Sequence, residues 1–314
     1  MDETQSAPLP DSSPRGPFLL RRIELRLGLA FWIVLATTAS LCGALSAFAP
    51  YAAVVVAFAA LWPIARRRRW AGLVADWLPL PAVVFTYETL ANVVPVCWTN
   101  TIDPWLRDAD RSLFAQDPGV LLESWVSPPL TNAFSLAYGL YYVLPLFLAI
   151  WFYVRERVAF RELVAGEIGA LFIGYLGYLY LPAVGPYMHH PETFSVALSG
   201  DFVGDAIRLL NADRSTAAPR DAFPSLHTCN AVTILLVCWK HDRRAFLVYL
   251  VPMTALIAAT VYLRFHYVVD VAAGALLAIA WQAFVPHFVR RDGLRGDEAG
   301  PDLQSPASHP PVTG

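Results

Sequence analysis

Apolar residues gather along this chain into long runs separated by short polar or basic punctuation. A membrane-spanning helix needs about 20 mostly apolar residues. The runs predict eight such helices, near residues 27–48, 50–65, 72–96, 132–154, 163–184, 227–242, 246–263 and 267–287. The second and sixth are short. Between the third and fourth lies TNTIDPWLRDADRSLFAQDPGVLLESWVSPPL, too polar to span and apolar enough for an interfacial helix. The predicted fold class is therefore all-α, a polytopic membrane helix bundle. Residues 1–24 and 289–314 are polar and rich in Pro with Ser or Gly, which predicts disordered cytoplasmic ends. Ala47-Phe48-Ala49 has the small-residue spacing of a signal-peptide cleavage site, but the apolar run before it is too long for one, which predicts an uncleaved anchor.

Basic residues orient the bundle, because Lys and Arg accumulate in short cytoplasmic loops. With both ends inside and eight spans, 17 of the 23 basic residues fall on the cytoplasmic side, including the run Arg66 to Arg69. Composition agrees: 56% of residues are apolar and only 15% charged, against about 25% charged in soluble domains. No charge run calls for nucleic acid. The four cysteines, Cys42, Cys97, Cys229 and Cys238, show no CxxC spacing and read as small apolar fillers of membrane helices.

Two polar stretches interrupt this pattern on the predicted extracytoplasmic side. Asp221 to Thr228 (DAFPSLHT) precedes the sixth span, and Arg264 to Asp270 (RFHYVVD) joins the seventh to the eighth. On a helix, His266 and Asp270 are i, i+4 neighbours. Asp270 in that position can accept the Nδ1 proton of His266 and leave Nε2 free for nucleophilic attack. Arg264 offers a permanently charged fork for phosphate oxygens. His227, at the predicted start of a helix, can serve as general acid and base. The same groups also admit other readings: His227, His266 and Asp270 as metal ligands of a hydrolase, or intramembrane charges of a transporter or scaffold. A hydrolase of that kind wants a general-base carboxylate beside the motifs, and a transporter wants internal repeats; neither is evident. Asp76, Glu88 and Glu167 could line a polar path or pair within the bundle. His189 and His190 read as a solvated loop.

FPSLH followed by RFHYVVDVAAG resembles the second and third signature motifs of the type 2 phosphatidic acid phosphatase superfamily, and most closely its inositol phosphorylceramide synthase-like branch of lipid phosphotransferases. Asp110 to Phe114 (DRSLF) and Tyr138, Tyr141 and Tyr142 also look like this branch. The resemblance covers about residues 95–285. It implies a six-helix catalytic unit over residues 71–288, with residues 25–70 as two additional helices. It implies His266 as nucleophile, Asp270 as its orienting partner, His227 as acid/base, Arg264 as phosphate ligand and Ser225 as a hydrogen-bond donor to phosphate. The implied activity is a lipid phosphatase or lipid phosphotransferase, working without metal or other cofactor on a membrane lipid at the extracytoplasmic face of the cell membrane. The superfamily's first signature, a Lys, six residues and Arg-Pro, has no counterpart. Leu181 to Tyr187 (LPAVGPY) stands in its place, and Arg220 is the cation available to replace it.

Overall fold

The computed structural model describes residues 22–65, 71–198 and 220–297, and among these it contains helices and no strands. The run Arg66 to Arg69 and the two polar ends predicted to be disordered lie largely outside the described residues. Thirteen α-helices follow one another among the described residues. They are α1 (Ile23–Leu41), α2 (Leu45–Ala65), α3 (Ala71–Trp77), α4 (Pro79–Cys97), α5 (Asp103–Phe114), α6 (Pro118–Leu121), α7 (Pro128–Leu140), α8 (Leu144–Arg155), α9 (Arg157–Tyr180), α10 (Pro186–His189), α11 (Leu226–His241), α12 (Arg243–Tyr262) and α13 (Val268–Asp297). In lipid the backbone must satisfy its own hydrogen bonds, and helices do so within one segment. Five of them (α1, α4, α9, α12 and α13) are long and apolar enough to cross a membrane. The pair α7–α8 makes a sixth if it counts as one span, bent by 42°. The chain is thus a multi-pass membrane protein; of the eight expected spans, α11 is only 16 residues long, whereas α2 runs 21 residues and is apolar.

Helix α9 is the central post. Seventeen of its 24 residues are buried, and α1, α4, α8, α11 and α13 all pack around it. Phe160, Leu163, Ile168 and Leu179 are almost fully enclosed there. The bend in α7–α8 follows from Pro145, which lacks the N–H that would bond back to Tyr141. The third expected span is likewise broken, into α3 and α4 at Leu78-Pro79.

Two boundary expectations are corrected. The chain is already helical at Ile23, and α13 continues to Asp297, well into the tail read as disordered from residue 289. Ion pairs explain both. Asp292 accepts from Ile23 N (2.9 Å) and from Arg26 (2.9 Å), tying the end of α13 to the start of α1. Arg161 meets Glu24 at 2.9 Å, and Arg22 and Arg157 both pair with Asp76. Polar composition there reflects a belt of matched charges at the basic end of the bundle. Asp76 is therefore a structural partner rather than part of a polar path. At the opposite end of α1, Cys42 forms a disulfide with Cys97 of α4, their Cα atoms 5.1 Å apart, which corrects the reading of both as fillers. Cys229 and Cys238 are free and buried.

Candidate active site

The two motif stretches meet at the end of the bundle away from that belt. Helix α11 starts where Ser225 supplies its N-cap: the Ser225 Oγ accepts from Thr228 N (3.4 Å) and bonds Thr228 Oγ1 (3.1 Å). Ser225 N donates to the Asp270 carbonyl at 3.1 Å, which docks this cap on α13. The docking is close because Gly274 has no side chain; a Cβ there would lie 2.1 Å from the Ser225 carbonyl oxygen. Gly185 (φ +82°) similarly lets the loop after α9 press against the Phe265 carbonyl.

His266 lies two residues before α13 rather than within it, so the helical i, i+4 geometry expected for His266 and Asp270 is only approximate. Asp270 is the third residue of α13, and its Oδ2 reaches back to accept from Tyr267 N at 2.9 Å, as an acidic N3 residue does in a capping box. His266 Nδ1 stands 2.8 Å from the Ala222 carbonyl oxygen and 3.6 Å from Asp270 Oδ2. The carbonyl can only accept, so Nδ1 carries the proton and Nε2 keeps its lone pair. The tautomer expected from Asp270 is thus set first by a backbone carbonyl. Asp270 stays within Coulombic reach, its Oδ1 buried without a partner among the described residues.

His227 projects toward this pair. Its ring centroid is 5.7 Å from that of His266, edge-on, and 4.3 and 4.6 Å from those of Tyr141 and Tyr138. Neither of its ring nitrogens has a protein hydrogen-bond partner among the described residues. Tyr141 lies at the break between α7 and α8.

Arg264 follows α12 in a left-handed conformation (φ +65°), unusual for a residue with a side chain. Tyr187 N bonds its carbonyl at 2.8 Å. Its guanidinium lies 4.1 Å above the Phe194 ring, and Nη2 donates to Val196 O (2.7 Å) and Glu123 Oε1 (3.2 Å). Burial pulls its pKa below the usual value, with the Glu123 charge opposing that shift. Its Nε has no partner among the described residues. The fork is thus partly occupied by an internal carboxylate. Arg264 and His266 line one small pocket together with Asp110, Asp117, His190 and Tyr267.

The remaining expected residues lie elsewhere. Ser225 is fully buried in its capping role. Arg220 lines a second small pocket with Tyr87, Tyr178 and Asp221, and not the one that holds Arg264. Glu167 is buried in α9, with one carboxyl oxygen unpartnered among the described residues. The Leu181 to Tyr187 turn receives a carboxylate of the protein itself: Asp103 accepts from Val184 N (2.9 Å), Gly185 N (2.8 Å) and the Tyr267 hydroxyl (3.1 Å).

Several supporting roles are not legible in the sequence, where Asp110 enters only as the start of the DRSLF resemblance. Asp110 caps α13, accepting from Val268 N (2.8 Å) and Val269 N (3.0 Å). Burial raises its pKa, against the lowering effect of those two amides. Asp103 and Asp110 are seven residues apart, two turns of α5, so both reach the same side; that spacing was the available signal. Asp117 is also on the pocket wall. Burial would raise its pKa, but hydrogen bonds and charge from Arg107 and Arg111 outweigh this and hold it below the usual range. His190 is not solvated: it is 2% exposed and stacked between Phe194 and Tyr267. Its i, i+4 spacing from Phe194 was legible.

The PAP2 superfamily model matches residues 104–284, more than half of the chain and both motif stretches. The chain belongs to the PAP2 superfamily. It is also similar to the inositol phosphorylceramide synthase of Candida albicans (strain SC5314 / ATCC MYA-2876), at 31% identity over 119 residues. That alignment covers 34% of this chain and 25% of the relative, so the chain spans far less than the whole of the relative it matches. No solved structure matches it.

Proposed function

We propose that this protein moves a phosphoryl or phospho-headgroup from a membrane lipid through a phosphohistidine on His266. The observation that carries this is the pairing of the two histidines: His266 Nδ1 is held by the Ala222 carbonyl, and the ring of His227 stands 5.7 Å away with both nitrogens unengaged. The Nε2 lone pair of His266 attacks phosphorus while the leaving oxygen takes a proton from His227. The cationic phosphohistidine faces the Asp270 carboxylate, 3.6 Å from Nδ1. In the second half, the acceptor O–H gives its proton to His227, its oxygen bonds to phosphorus, and the P–N bond breaks. Water as acceptor gives a phosphatase, and a lipid or polyol hydroxyl gives a transferase. The likeness to an inositol phosphorylceramide synthase supports the transferase.

In this reading Arg264 binds phosphate oxygens, Ser225 supports the anion from the cap of α11, and residues 71–288 form the catalytic six-helix unit; Arg220, on the wall of the other pocket, takes no part. The site faces the extracytoplasmic side of the cell membrane. The distribution of basic residues supports that orientation, and so does the Cys42–Cys97 disulfide at the same end of α1 and α4, since disulfides persist in oxidising compartments. The test is incubation of the purified full chain with phospholipids and polyprenyl phosphates, with and without candidate alcohols. Free phosphate or a new headgroup-bearing lipid is expected; neither product from any donor, with folded protein, refutes the proposal.

A further inference from the structure

His190 is a third histidine at this site, and nothing in the motif stretches points to it. It follows the four-residue helix α10, and Pro191 follows it in turn. Its ring is sandwiched nearly parallel between Phe194 (5.7 Å, 27°) and Tyr267 (5.9 Å, 28°), the latter adjacent in sequence to His266. Its Nδ1 lies 3.3 Å from His189 Nδ1. Its Nε2 is buried and has no hydrogen-bond partner among the described residues. A buried imidazole nitrogen without a partner is costly, because desolvation is not repaid by a bond. Arg264 Nε is unpartnered in the same way, and the two side chains line the same pocket as His266.

The charged groups around His190 are Arg107, Asp117 and Glu192, with His189 beside it. Burial first, and then the positive charge of Arg107, lowers its pKa to about 4, so it is neutral at physiological pH. A neutral imidazole has one N–H and one lone pair. If His189 donates to Nδ1 of His190, the remaining proton sits on Nε2. Two N–H donors, one from a neutral ring and one from a guanidinium, then share a pocket with the nucleophile. Donors placed this way suit an anionic oxygen.

We infer that His190 is a phosphate-binding residue of this site, its Nε2–H donating to a phosphoryl oxygen of the donor alongside Arg264. The inference rests on the proposed phosphoryl-transfer reading, and His190 contributes binding rather than attack or proton transfer. Two variants separate this role from a structural one. His190→Phe keeps an aromatic ring in the stack and removes the donor, whereas His190→Gln retains an N–H. The full chain in detergent is titrated with inorganic phosphate, followed by ³¹P line broadening, with thermal midpoints recorded in parallel. A hydrogen bond to a charged group corresponds to about a 10- to 100-fold change in affinity. His190→Phe is expected to bind phosphate that much more weakly at an unchanged midpoint, and His190→Gln to stay within a few fold of wild type. Unchanged phosphate affinity in His190→Phe overturns the inference, as does an equal loss in both variants with a lowered midpoint. If wild type forms a His266 phosphohistidine while His190→Phe binds phosphate normally, only this inference fails. If wild type shows neither label nor phosphate binding, the underlying reading fails with it.

Discussion

Asp110 lies outside both motifs, yet it holds the N-terminus of the helix that follows His266. Asp110→Ala leaves Val268 N and Val269 N without their acceptors. A hydrogen bond to a charged group contributes about 1.5–3 kcal/mol. Loss of an N-capping side chain costs about 1 and up to about 2 kcal/mol. Burial works against the carboxylate and offsets part of the gain, as its raised pKa indicates. The net cost expected for Asp110→Ala is about 2 kcal/mol, a fall in thermal midpoint of about 3 °C for a chain of 314 residues. Asp110→Asn keeps one carbonyl acceptor and is expected to lose about half as much. The two capped amides lie two and three residues after His266, so the start of α13 loosens exactly where Asp270 and Tyr267 are placed. Misplacing a reacting group by about 1 Å can cost about 10²-fold in rate, so kcat is expected to fall by one to two orders of magnitude while donor KM changes little. Thermal melts in detergent and turnover on one lipid donor check both numbers. Wild-type midpoint and kcat in Asp110→Ala would refute the reasoning.

The broad fold was legible because apolar runs long enough to span a membrane have few alternatives. The helix ends were less so: Asp292 pairs with Arg26 and with Ile23 N only after α1 and α13 meet, and such a long-range match leaves no local pattern. Cys42 and Cys97 are 55 residues apart and come together through the packing of α1 and α4. Within the site, His227, His266 and Asp270 were legible by residue type and spacing. The partner of His266 Nδ1 was not, since a backbone carbonyl such as that of Ala222 carries no side-chain signature. Arg220 was read beside Arg264 because both are cations near the motifs. The chain instead directs Arg220 toward α4 and Tyr178, and sequence distance from a motif says nothing about that direction.

His227→Ala is expected to slow turnover of natural lipid donors by about 10²–10⁴-fold, and much less with nitrophenyl phosphate, whose leaving group needs little protonation; an equal loss on both would assign His227 another role. Activity should survive EDTA, because the proposed charge stabilisers are Arg264, protonated histidine and backbone amides; loss restored by zinc or magnesium would favour a metallohydrolase. A single cysteine at position 191 should react with an impermeant maleimide from outside intact cells and one at 243 should not; the reverse pattern would invert the topology.

The central claim is a covalent phosphohistidine on His266. The direct measurement is labelling from a phosphate-labelled lipid donor, with quenching in alkali to preserve the acid-sensitive P–N bond, across wild type, His266→Ala and His227→Ala. The account predicts base-stable label in wild type, none in His266→Ala, and label that forms slowly but persists in His227→Ala. Label that survives His266→Ala and disappears in His227→Ala would contradict it.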